Sequence, residues 1–135
     1  MDDRPGAVAV ASGRSGPAAE GAQGLLGGLD ACLSEAFAIA TDDCDGVFLS
    51  VDIDVVDPGM APGTGTPEPG GLTARELLDA VRRCAVELPV VGMDLVELAP
   101  DYDGPGRVTT FLANRVVLEA LSGIARRRQA AQGQG

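Results

Sequence analysis

Val47–Phe48–Leu49–Ser50–Val51–Asp52–Ile53–Asp54 is a nearly unbroken apolar run that closes on two aspartates two positions apart. A turn precedes it, with Asp42, Asp43, Asp45 and Gly46 together, so it reads as a strand with a defined start. Its near-continuous apolar character predicts a strand covered on both faces, as in a parallel sheet. Asp52 and Asp54 then stand at the strand's C-terminal end, where α/β folds place their ligand sites. Alternation along a strand points residues i and i+2 to the same side, so both carboxylates are expected to face one site. Two carboxylates that close repel each other unless protonated or neutralised, and a hard divalent ion such as Mg²⁺ or Mn²⁺ suits oxygen ligands. The alternative is that these acids cap backbone amides in a turn.

Outward from this strand the chain alternates. Upstream, residues 23–40 carry Leu25, Leu29, Leu33, Phe37 and Ala40 on one helical face, and residues 7–11 form a short apolar run that reads as a small strand. Downstream, Thr73 and Glu76 form a capping-box pattern that opens a helix to about Leu88. Pro89 breaks that helix, and residues 89–95 read as a second buried strand. A helix starting near Thr109 or Thr110 follows, and the tail from Arg126–Arg127–Arg128 onward is expected to fray. Alternating helices and strands imply an α/β fold, a parallel sheet with helices on its faces. Two strong strands are few for such a sheet, so the chain reads as part of a larger α/β domain. The expected organisation is a Gly/Ala-rich segment over residues 1–22, an α/β region over 23–128 and a disordered tail over 129–135.

Composition narrows the chemistry. The 135 residues are 45% hydrophobic but only 3% aromatic, so the core must be aliphatic. All ten basic residues are Arg, against 20 acids, and the net charge of −10 argues against a general phosphate-binding surface. The chain contains no His, which excludes His-based triads, general bases and metal ligands from it. Cys32, Cys44 and Cys84 form no CxxC pair and read as reduced thiols of a cytoplasmic protein. Neither a secretory signal nor an apolar run of membrane-spanning length is apparent. No nucleic-acid or membrane partner is therefore expected.

Three further features bear on a site. Asp57–Pro58 reads as a turn start, with the carboxylate bonding backbone N–H groups. Pro62–Gly63–Thr64–Gly65–Thr66–Pro67 and Pro69–Gly70–Gly71 form a loop just after the acidic strand end, placed to line a site. It is not a Walker A loop, which needs a Lys. Glu97, past the second strand, is placed to pair a planar cation such as a guanidinium, and Asp94 is expected to point away from it.

Ser50–Val51–Asp52–Ile53–Asp54–Val55–Val56–Asp57–Pro58, followed by Ala61–Pro62–Gly63–Thr64–Gly65–Thr66–Pro67 and Gly70–Gly71, resembles the ureohydrolase signature of arginases and agmatinases. Val91–Gly92–Met93–Asp94–Leu95–Val96–Glu97–Leu98–Ala99–Pro100 resembles the family's later strand, and Tyr102–Asp103 its adjoining loop. The similarity runs from about Gly46 to Arg126 and more weakly back to Gln23, and is closest to the agmatinase and guanidinobutyrase branch. The resemblance implies a three-layer α/β/α fold and a dinuclear manganese site at which hydroxide attacks a guanidinium carbon, releasing urea and an amine. By position it implies Asp52 and Asp54 as metal ligands and Glu97 as the acid that holds the substrate guanidinium. The family's other ligands, a His and an Asp/His/Asp cluster, belong upstream of this region. The expectation is thus the C-terminal portion of an agmatinase-like enzyme, inactive alone, that binds a small guanidino substrate once its two-Mn²⁺ site is complete. Association as a homo-oligomer or with a full-length relative is expected. The alternatives are a degenerate, non-catalytic interaction piece and, more distantly, a Mg²⁺-dependent phosphatase of the haloacid dehalogenase type, whose motif formally matches Asp52 to Val56 but which needs a Lys.

Overall fold

In the computed structural model, which describes residues 7–11 and 28–133, the run at Val47 forms strand β2 over Val47–Asp52. It is the centre of a three-stranded parallel sheet, flanked by β1 (Ala7–Ala11) and β3 (Val90–Val96) in the order β1-β2-β3. The weak apolar run at the start of the sequence thus supplies a full edge strand, pairing Ala7 with Val47 through Ala11 with Val51. Helix α1 (Gly28–Ala40) joins β1 to β2, and helix α2 (Ala74–Glu87) joins β2 to β3. Helix α3 (Val108–Gln132) completes the chain. The part of the expected first helix over residues 23–27 lies outside the described residues.

Burial alternates along β2 instead of being continuous. Val47, Leu49, Val51 and Ile53 point into one core with Leu77, Val81 and Leu88 of the α2 segment and Leu112, Val116 and Ala120 of α3; Leu33 and Phe37 of α1 close its rim. Each large aliphatic side chain buried there contributes roughly 1.5–3 kcal/mol. All three helices therefore pack on one face of the sheet. The other face carries Phe48, which is exposed, and in register with it Gly92; Asp94 stands beside Ser50 there and is exposed too. The expectation of a strand covered on both faces fails because no described element packs on that side. Of the three layers of an α/β/α fold, two are present among the described residues.

Local chemistry sets the helix ends. Thr73 and Glu76 make the full reciprocal capping box, Thr73 Oγ1 accepting from the Glu76 N–H and Glu76 Oε2 accepting from the Thr73 N–H at 2.8 Å. The tail does not fray at Arg126: α3 continues to Gln132, and Arg127 Nη1 donates to the Leu88 carbonyl at 2.7 Å, tying the last turns to the end of α2. This helix is also long and apolar enough, by length and composition alone, to cross a membrane. Here it is a core helix, with Thr109, Leu112, Val116 and Ala120 buried against α2 and the sheet.

Two polar devices hold the helices together. Glu119, buried on α3, lies between Arg82 of α2 and Arg115 one turn back, and the Arg82 guanidinium chiefly holds its carboxyl below the usual range. Arg83 ties α2 to α1, donating to the Asp30 carbonyl at 2.7 Å and lying 5.1 Å over the Phe37 ring. Cys84 is buried beside these contacts, and burial pushes its thiol up to about 11, which makes it a packing residue.

α2 and α3 approach closely at Gly123, where a Cβ would fall 2.6 Å from that of Ala85. Gly123→Ala should therefore force the helices apart and cost about 1–3 kcal/mol in denaturant unfolding. An unchanged midpoint would mean that the pair closes with slack.

Candidate functional site

The strand end carries the acids, but not by the pleat alone. β2 stops at Asp52, and Ile53–Val55 form a single 3-10 turn. Asp52 caps that turn, its Oδ1 accepting the Asp54 N–H at 2.9 Å. Asp54 is therefore in the turn, not on the strand, and the Asp52 carboxylate is tied to the Asp54 backbone by the cap. The capping reading thus holds for Asp52, which binds a backbone amide while standing at the strand's C-terminal end.

The loop over residues 62–71 folds back on this turn. Thr66 Oγ1 donates to Asp54 Oδ2. The other carboxylate oxygen, Asp54 Oδ1, is buried without a hydrogen-bond partner, and so is Thr64 Oγ1. A buried acceptor left unpaired costs free energy unless a ligand meets it. Neither threonine was singled out by sequence reasoning; the signal was the Thr-Gly-Thr spacing, which sets two hydroxyls two residues apart beside an acidic strand end.

Three anchors hold the loop in place. Asp57 is the structural turn acid expected, its carboxylate accepting from Gly70 at 2.9 Å and from Gly59 at 2.8 Å. The bond from Gly70, then that from Gly59, keep its carboxyl below the ordinary range. Ala99 donates from its N–H to the Gly63 carbonyl at 2.8 Å, and Thr64 bridges Leu98 in antiparallel fashion. The Gly63 N–H in turn donates to Thr109 Oγ1 at 2.8 Å, in the first turn of α3. A Cβ at Gly63 would fall 2.7 Å from that of Asp103, so only glycine lets the loop seat there.

Glu97 follows β3 directly, one residue beyond Val96, the register partner of Asp52. Its backbone is left-handed at φ 63°, which turns the chain out of the sheet. Its carboxylate stands over the loop, with Oε2 3.9 Å from where a Gly65 Cβ would be. The side chain is exposed. Asp52, Asp54, Thr66 and Glu97 thus gather at the ends of β2 and β3 around one Gly/Thr loop. Asp94 lies two register pairs back from Asp52 on the open sheet face, opposite Ser50.

Asp103 supports this corner from below. It accepts from the N–H groups of Thr109 at 3.2 Å and Thr110 at 2.8 Å, and from the Thr110 hydroxyl at 2.9 Å. Burial pushes its carboxyl up, but these hydrogen bonds together outweigh it and the net direction is down. Arg107, the residue before α3, makes no side-chain cap, so Asp103 does that work from four residues upstream.

A family model described as the arginase family matches residues 25–123. The chain belongs to the arginase family. Among curated relatives, it is 54% identical over 80 residues to proclavaminate amidinohydrolase of Streptomyces clavuligerus, covering 59% of this chain and 25% of the relative. It is 49% identical over 78 residues to an agmatinase of Halalkalibacterium halodurans, covering 57% and 27%. The solved structure of the Streptomyces clavuligerus amidinohydrolase superposes with a TM-score of 0.69 at 40% identity, over 81% of this chain and 35% of that one. The chain spans about a quarter of the length of these curated relatives and matches their C-terminal part. The fold is that of an arginase-like α/β protein, present in part.

Arginase-family relatives imply a metal pair. The donors present are hard carboxylate oxygens, one of them buried and unpartnered, which fits one side of a divalent-cation site. They do not complete it: no group of three candidate ligands occurs among the described residues, and the chain has no His.

Proposed function

We propose that the chain supplies the carboxylate half of an agmatinase-like ureohydrolase site, which cleaves a small guanidino compound to urea and an amine. The observation that carries this reading is Asp54, fixed by Thr66 through one oxygen and offering the other, buried and unpaired, beside Asp52. Asp52 and Asp54 would hold manganese, with the remaining ligands coming from polypeptide other than these residues. When bound, the metal pair supplies Lewis acidity and a nucleophile at neutral pH. Glu97 binds the planar guanidinium through charge-assisted hydrogen bonds, and the Gly63–Thr66 loop sets its distance from the aspartates. The three free thiols fit a cytoplasmic setting.

A non-catalytic interaction piece remains the second reading, favoured by the incomplete donor set. The phosphatase alternative draws no support, since it leaves the Gly/Thr loop without a role and lacks its Lys.

Complementation separates the two surviving readings. The 135-residue chain with Mn²⁺ and agmatine or guanidinobutyrate should release no urea by itself. Co-expressed with the complementary upstream portion of an agmatinase, it should restore urea release to that portion. Failure of every complemented sample, with both polypeptides soluble and associated, would leave only the interaction reading.

A further inference from the structure

Gly63 is the point where the two acid-bearing segments of the site meet. Its carbonyl accepts from the Ala99 N–H at 2.8 Å, two residues beyond Glu97. Three residues further along the loop, Thr66 holds Asp54 Oδ2. The Gly63 N–H donates to Thr109 Oγ1, 46 residues away in the first turn of α3, and Thr109 is fully buried. A hydroxyl that accepts this bond still has its own proton to place. The buried Asp103 carboxylate lies beside it and takes the Thr109 N–H at 3.2 Å. Burial pushes the Asp103 carboxyl up, while hydrogen bonds from Thr110 and Thr109, the Thr109 hydroxyl among them, draw it down. The order therefore runs one way, from the Gly63 N–H to the Thr109 hydroxyl to the Asp103 carboxylate.

We infer that Thr109 is a positioning residue for the site: its hydroxyl, acting through Gly63, fixes the separation between Glu97 and Asp54. The inference rests on the ureohydrolase reading, in which Glu97 holds the guanidinium and Asp54 a metal ion. The anchor is rigid, because Thr109 begins a helix whose next turns, at Leu112 and Val116, are set in the core. The approach is close, because a Cβ at Gly63 would fall 2.9 Å from Thr109 Oγ1. Without the hydroxyl the Gly63 N–H is a buried donor with no acceptor, and the loop must shift to find one. That shift carries Thr66 on one side and Ala99 on the other, so the two carboxylates move relative to each other. Misplacing reacting groups by about 1 Å can cost ~100-fold in rate.

The test uses the full chain complemented with the upstream portion of an agmatinase, at saturating Mn²⁺. Thr109→Val keeps the shape of the side chain and removes the hydroxyl. It should lower kcat at least ~10-fold with KM within ~3-fold of wild type, since Glu97 still binds while its placement against Asp54 is lost. Amide hydrogen exchange should quicken over residues 63–66 and at Ala99. Thr109→Ser keeps the hydroxyl and should retain more of kcat, and more protection of these amides, than Thr109→Val. Gly123→Ala strains the same helix away from the loop and is the control for lost stability alone, with kcat expected at the wild-type value. Wild-type kcat in Thr109→Val overturns the inference. So does a Ser variant that falls as far as the Val variant, or an equal loss of kcat in Gly123→Ala. A wild-type pair that releases no urea strikes the ureohydrolase reading and the positioning role in catalysis with it; exchange over residues 63–66 then decides by itself whether Thr109 holds the loop.

Discussion

Asp54→Ala is expected to abolish tight Mn²⁺ binding and urea release together, with turnover falling at least ~100-fold, in an enzyme complemented with the upstream portion of the fold. Thr66 holds one oxygen of this carboxylate and the other lies buried without a partner, which on the proposed reading is the oxygen that meets the metal. Asp52→Ala should have the same outcome and, because Asp52 also caps the turn through the Asp54 N–H, should loosen Asp54 as well. Glu97→Gln provides the contrast. It removes a charge-assisted pair at the rim and should lower turnover by at least ~10-fold while metal content stays normal. Metal analysis by mass spectrometry beside urea assays reads both. Near wild-type activity with two bound ions in Asp54→Ala would sink the metal assignment, and metal loss in Glu97→Gln would move that residue into the metal shell.

The second large effect is on stability. Asp103→Ala should lower the melting temperature by at least ~5 °C at neutral pH, since it removes the only side-chain cap seen at the start of α3. Alanine keeps the Cβ that faces Gly63, so the loop that carries Thr64 and Thr66 should loosen only through Thr109, which loses its Asp103 partner while its hydroxyl holds the Gly63 N–H. The pH dependence follows from the same contacts. Asp57, Asp103 and Glu119 all hold their protons less tightly in the folded chain than carboxyls ordinarily do. The unfolded state therefore binds more protons in acid, and stability must fall as pH drops. Their contribution is fully present above the ordinary carboxylate range near pH 4 and is lost progressively below it. The difference between wild type and Asp103→Ala should accordingly narrow below about pH 4. A gap that stays constant to pH 2 would show that Asp103 acts through packing alone.

Much of this arrangement was legible in the residues themselves. The apolar run at Val47, the Thr73–Glu76 capping box and the break at Pro89 are local signals, and each became the element expected, because caps and breakers act within one turn of chain. The ureohydrolase-like order of Asp52, Asp54 and the Gly/Thr loop was equally readable, since it lies in one continuous stretch. What lay outside local reach was decided by contacts distant in sequence. The run at Ala7–Ala11 became a strand only because β2 offered it an edge, and α3 outlasted Arg126 only because Arg127 found the Leu88 carbonyl. Burial of one face of β2 instead of two depends on which layers surround it, and a strand's own residues cannot report that. Asp54 left the strand for a 3-10 turn because the Asp52 carboxylate took its amide, and Thr66 met it because Gly63 is pinned between Ala99 and Thr109. Sequence alone chose the donor chemistry at this site. Tertiary structure decided which oxygen is held and which is offered, because that depends on hydrogen bonds reaching across 12 and 46 residues of chain.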